Sequence, residues 1–132
     1  GVHVSLGIAL AAVLAGRLAW RATAGRRLKP IGTSLTAPLS KIVHALLYAL
    51  LAVQVVLGFG LRWFQGEELS FFGLFSVPSL FTADRAFSHQ LEQLHNYAGW
   101  TLIVLVAGHA FAALFHRYVL RDGVLRRMLP AG

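Results

Sequence analysis

Six histidines stand in a chain of 132 residues that contains no cysteine, and several fall at spacings that let imidazoles meet. Within HNYAGWTLIVLVAGHAFAALFHRYVL, His95, His109 and His116 are separated by fourteen and then seven residues. On an α-helix turning about 100° per residue these offsets return the rings to one sector roughly 60° wide, with His95 and His109 about 21 Å apart along the axis. His3 opens a second apolar stretch and His44 lies in a third. Neutral imidazole binds transition metals and relays protons, and histidines within apolar segments are costly enough to demand partners.

The elements that must carry these residues follow from composition. The chain is 57 % hydrophobic, with 12 basic and 5 acidic residues, too apolar for a soluble domain of this size. Residues 3–21, 41–63 and 94–120 each supply the roughly 20 apolar residues that a hydrocarbon core requires. Only helices satisfy their own amides in lipid when no barrel can form. The expected architecture is therefore an all-α transmembrane helical bundle, one membrane domain over residues 1–132, with a long outer loop at 64–93 and Ser40 as a cap for the second helix. The first residues are already apolar helix without a basic leader, which raises the expectation that the chain begins in the middle of something longer.

The net charge of +7 is sorted along the chain. Arg17, Arg21, Arg26, Arg27, Lys29 and Lys41 surround the first connection without an acid, and Arg117, Arg121, Arg126 and Arg127 follow the third span. This is the signature of cytoplasmic segments, so it points to lipid and not to nucleic acid, with the C-terminus inside. The second connection mixes Arg62 and Arg85 with Glu67, Glu68, Asp84 and Glu92. Its aromatic run LSFFGLFSVPSLF suits the membrane interface, and His89 reads as a surface histidine.

With the first and third spans running in the same direction, His3 and His95 start at one depth and can face each other. Two imidazoles from facing helices suit the axial positions of a haem iron, and a bundle core is where such a group lodges. His109 repeats the arrangement deeper, but no other span offers a histidine at its level. His44 and His116 share a depth near the inner end. Arg17, fourteen residues after His3, either snorkels to the inner surface or contacts an anion such as a haem propionate. Lys29 meets lipid headgroups or the polar head of a ligand. A proton relay or a transition-metal path is the competing chemistry, although the spans contain no carboxylate of the kind such paths use.

The residues around His3, the Arg17 and Arg21 pair, IVHALLY around His44, LHNYAG…GHAFAALFHRY and the tail RDGVLRRMLP resemble the prokaryotic cytochrome b561 family, four-helix dihaem membrane proteins, and within it the superoxide oxidase-like subgroup. The resemblance implies that this chain holds three of four spans. It implies an outer haem b on His3 and His95, and an inner haem b with His109 as one ligand and the other on the span not represented here. It places His44 and His116, with Lys29 as a weaker candidate, beside a quinone pocket. The implied activity is electron transfer in the bacterial inner membrane from a periplasmic donor, superoxide being the candidate and Arg62 or Arg85 its attractor, to ubiquinone. An alternative is the cytochrome b anchor subunit of a hydrogenase or formate dehydrogenase, with a redox partner protein at the outer loop. A histidine-lined metal or proton transporter is the remote one.

Overall fold

The computed structural model describes residues 1–24 and 36–120; Lys29 and the basic tail lie outside the described residues. Three helices, α1 (Val2–Thr23), α2 (Thr36–Phe64) and α3 (Arg85–Phe115), carry the chain up and down, with α3 continuing into a π-helical turn at His116–Leu120. Between α2 and α3 stands a small hairpin, β1 (Leu69–Phe71) and β2 (Phe75–Val77). α2 is central and packs against both α1 and α3.

Each helix is long and apolar enough to cross a membrane, over Val2–Thr23, Leu39–Phe64 and Arg85–Leu120. Among the described residues, Leu14 and Leu69 are the buried hydrophobic side chains, whereas Val56 and Phe111 are each 69 % exposed and Trp100 67 %. Such a surface is untenable in water and natural against acyl chains, where apolar side chains are at home outside as well as inside. The protein is a multi-pass membrane protein. Its helices are held less by apolar burial than by specific polar and small-residue contacts, as expected where lipid is as apolar as leucine.

Two element boundaries differ from the sequence expectation. α3 starts at Arg85 rather than near residue 94, because Asp84 caps it: the Asp84 carboxylate accepts from the Phe87 amide at 3.0 Å, and the cap lets the polar HQLEQL segment join the helix. α2 starts at Thr36, so Ser40 lies inside it and does not act as its cap.

The aromatic run, expected as an irregular interfacial segment, forms an antiparallel ladder pairing Leu69 with Val77 and Phe71 with Phe75. Phe72 and Gly73 turn with positive φ of 49° and 74°, and the Leu74 amide closes the turn on the Phe71 carbonyl at 2.9 Å. Two positive φ values in succession are what a tight hairpin needs. Gly73 adopts its conformation freely, while Phe72 is held by Ser5, whose Oγ accepts from the Phe72 amide at 2.8 Å. The same hydroxyl donates to the Ser70 carbonyl at 3.2 Å, and Ser5 is 1 % exposed. One serine on α1 thereby pins the hairpin over the end of the bundle where His3 sits.

The segment that follows is fastened to α2. Ser79 Oγ donates to the Trp63 carbonyl at 2.8 Å, and the Asp84 amide donates to the Phe64 carbonyl at 2.9 Å. Phe81 stacks on Phe64 with ring centroids 4.9 Å apart, and Phe87 meets Phe64 edge-on at 4.7 Å. These contacts fix the angle at which α3 departs and hence the level of His95.

Candidate functional site

At the hairpin end, His3 of α1 and His95 of α3 stand edge to face, with ring centroids 6.0 Å apart and planes at 87°. The expected pairing across the bundle is present. His95 also touches α2, where the Gln54 carboxamide nitrogen lies 3.1 Å from its Nε2. The ring rests on Gly58, whose backbone comes so close that a Cβ there would stand 3.0 Å from the His95 Cε1. Glycine is required at this position by close approach, the usual reason for small residues between membrane helices.

The spacing of the pair can be tested against a metal. Two metal–nitrogen bonds of about 2.0 Å each take up about 4 Å of the 6.0 Å. The remaining 2 Å or so is close to the two distances from ring nitrogen to ring centre, so the centre-to-centre spacing matches that of two axial imidazoles, and the edge-to-face rings would have to turn to aim their nitrogens at one iron. Among the described residues no group of three or more His, Cys, Asp or Glu could hold a metal ion. A bare zinc or copper ion takes three or four protein ligands, whereas a haem iron brings its own four equatorial nitrogens and needs two axial ones. The donor set fits haem.

At the other end of the bundle the outcome differs from the sequence reading. His109, which seemed to lack a partner at its depth, lies against His44 of α2 with ring centroids 5.1 Å apart and planes at 70°. His44 is thus in direct contact with His109. The spacing of 5.1 Å leaves about 1 Å beyond two metal–nitrogen bonds of about 2.0 Å, too little for an iron between the rings. His44 and His109 are ring neighbours and not a ligand pair at this spacing. His116 starts the π-helical turn.

Arg17 and Arg21 converge on one tyrosine beside this second pair. The Arg17 Nε donates to the Tyr48 hydroxyl at 2.5 Å, and the Arg21 guanidinium stands 5.9 Å from the centre of the Tyr48 ring, within cation–π range. Tyr48 is one helical turn from His44, so α1 presents two cations and α2 a phenol and an imidazole at the same end. Sequence reasoning named Arg17 and put Tyr48 on the His44 face, but the bond between them joins two helices and has no local signal. Gln54 was missed altogether; a lone glutamine in the apolar middle of the span was its only mark. At the hairpin end, Arg62 is engaged by Glu67 in an ion pair, and His89 is exposed, its Nδ1 3.3 Å from the Gln93 amide.

A membrane bundle that offers two imidazoles from facing helices, with ring centres spaced as for one iron, is the framework of a membrane cytochrome. The chain belongs to the prokaryotic cytochrome b561 family, whose model matches residues 1–131. Cytochrome b561 homolog 2 of Escherichia coli strain K12 is 31 % identical over 133 residues, 97 % of this chain and 69 % of that protein. Cytochrome b561 homolog 1 of the same organism is 32 % identical over 91 residues, 69 % of this chain and 51 % of that protein. A probable superoxide oxidase of Yersinia pestis is 26 % identical over 130 residues, 98 % of this chain and 73 % of that protein. Family membership implies haem b and a role in membrane electron transport.

Proposed function

We propose that this chain carries electrons across the bacterial inner membrane through haem b held by His3 and His95, taking them from a periplasmic donor at the hairpin end and delivering them to ubiquinone at the opposite end. The observation that carries this reading is the 6.0 Å separation of two imidazoles from different helices, which suits one iron. Haem, when bound, supplies a one-electron centre at a fixed depth in the low-dielectric core. The chain's own residues do the rest: α1 and α3 hold the rings at one level, and Gly58 gives the His95 ring its seat. His109, fourteen residues deeper on α3, is the candidate ligand for a second, inner haem.

The direction of the helices follows from charge. Arginines cluster at the end of α1 and after α3, on the side that the positive-inside rule assigns to the cytoplasm, which puts the C-terminus inside and the hairpin outside. Arg17, Arg21, Tyr48 and His44 form a donor-rich inner rim suited to a haem propionate or a quinone carbonyl, with His116 and Lys29 as further quinone neighbours. Superoxide is the candidate donor, because a probable superoxide oxidase is among the relatives. Of the two arginines at the hairpin end, Arg62 is neutralised by Glu67, so Arg85 is the better attractor of an anion.

One feature favours a second reading, the cytochrome b anchor of a larger redox complex. The hairpin end exposes Leu74 (78 %) and Phe75 (53 %), a surface that a soluble donor subunit could cover. The two readings part on reduction by superoxide with the purified protein alone. For the haem assignment, the full-length protein is expected to show a bis-imidazole spectrum that His95→Ala depletes. An undiminished spectrum in that variant would overturn the assignment of His95 as a ligand.

A further inference from the structure

α2 and α3 meet through a reciprocal arrangement. Gln54 and Gly58 are one turn apart on α2, and His95 and Gly99 are one turn apart on α3. The Gln54 carboxamide lies over Gly99, where a Cβ would stand 3.1 Å from its nitrogen, and the His95 ring lies over Gly58, where a Cβ would stand 3.0 Å from Cε1. Each glycine thus makes room for the other helix's polar side chain, and the two side chains meet at 3.1 Å.

The bond leaves capacity unspent. Gln54 Oε1 and His95 Nδ1 are both buried without a hydrogen-bond partner, and Oε1 is the one carbonyl oxygen among the buried unpartnered side-chain atoms of the described residues. Leaving such atoms dry is costly unless something completes them. A histidine that gives one ring nitrogen to a metal keeps its proton on the other, and that N–H is usually held by an acceptor which orients the ring and raises its basicity. A carboxamide turned about its last bond exchanges donor for acceptor, so Gln54 can serve a bare ring nitrogen or a protonated one; the nitrogen that it holds is Nε2, which leaves the unpartnered Nδ1 as the one for a metal.

We propose that Gln54 is the positioning residue of His95, its carboxamide holding the imidazole that serves as axial ligand and thereby setting the reduction potential of the haem at that ring. This rests on the assignment of His95 as a haem ligand. An acceptor on the ligand ring increases its electron donation and stabilises the oxidised iron. Gln54→Leu removes the acceptor and raises the midpoint potential of the outer haem. Gln54→Glu, of the same shape but a stronger acceptor, lowers it.

The experiment is a spectroelectrochemical titration of the full-length protein purified with its haem, for the wild type, Gln54→Leu and Gln54→Glu. The expected change is about tenfold in the ratio of oxidised to reduced haem at a fixed potential, equal to about 59 mV for a one-electron couple, upward for Leu and downward for Glu. Opposite shifts in two variants are not what a mere packing disturbance produces. Unchanged potentials, or shifts of the same sign, would overturn the proposal. If Gln54→Leu loses its haem or fails to fold, Gln54→Met, of similar length but without the acceptor oxygen, takes its place: a raised potential supports the proposal and an unchanged or lowered one refutes it. Failure of the ligand assignment itself is read separately, by retention of the outer haem in His95→Ala.

Discussion

Alanine at Gly58 tests whether the close approach of α2 to the His95 ring is needed for the cofactor or only for the fold. The added Cβ would stand 3.0 Å from His95 Cε1, while carbon pairs prefer about 3.5–4.0 Å. The ring or the helix must therefore move by about 0.5–1 Å. Overpacking of this kind costs about 1–3 kcal/mol, against which the better helix propensity of alanine returns up to about 1 kcal/mol. The net loss of roughly 0–3 kcal/mol leaves the protein folded. Displacement of a ligand by about 1 Å weighs more heavily on the site, where misplacement on that scale can cost about 100-fold in reactivity.

The internal control is Gly60→Ala, one half-turn further along α2. Its Cβ would meet Leu91 Cδ1 at 3.5 Å, an ordinary contact, so this variant keeps its haem and melts at or slightly above the wild-type temperature. Haem per protein, the optical spectrum and the thermal midpoint of the purified full-length variants are the measurements. Expected are depleted or spectrally altered haem in Gly58→Ala and wild-type values in Gly60→Ala. If the two variants behave alike, close packing of Gly58 on the ligand ring has no functional weight and the reasoning from that contact is refuted.

Two further perturbations address the scaffold that sets the level of His95. Ser5→Ala leaves the Phe72 amide and the Ser70 carbonyl without their partner, at a cost of about 1–3 kcal/mol; amide exchange is expected to accelerate in the hairpin and stay unchanged in the middle of α3, and equal protection of the hairpin in variant and wild type would count against its attachment through Ser5. Asp84→Ala removes the cap of α3 at about 0.5–2 kcal/mol, seen as faster exchange at the first turn of α3 with an unaltered haem spectrum, and no change in exchange there would show that the cap is dispensable.

Much of this protein was legible in the residues alone. Hydropathy determined three membrane helices, because a span must bury about 30 Å of backbone without water and only a long apolar run can do so. The fourteen-residue spacing of His95 and His109 placed them on one face at two depths, because helical rise and twist are invariant. The facing of His3 and His95 followed from the direction of their helices, and the tertiary structure bears it out at 6.0 Å. The hairpin was not legible: its strands are three residues each, too short for a periodic signal, and its turn depends on a serine 67 residues away.

Which partner each remaining group takes was decided only in three dimensions. Depth along a helix is a property of one element, but rotation about the axis and lateral packing belong to pairs of elements, and nothing local encodes them. His109 therefore lacked a partner on paper and meets His44 in space; Arg17 was an isolated cation in sequence and is bonded to Tyr48 in the bundle. Gln54 gains significance for the same reason. In sequence it is an uncharged polar residue amid the apolar middle of a span, and only the approach of Gly58 and Gly99 brings its carboxamide to the ring of His95.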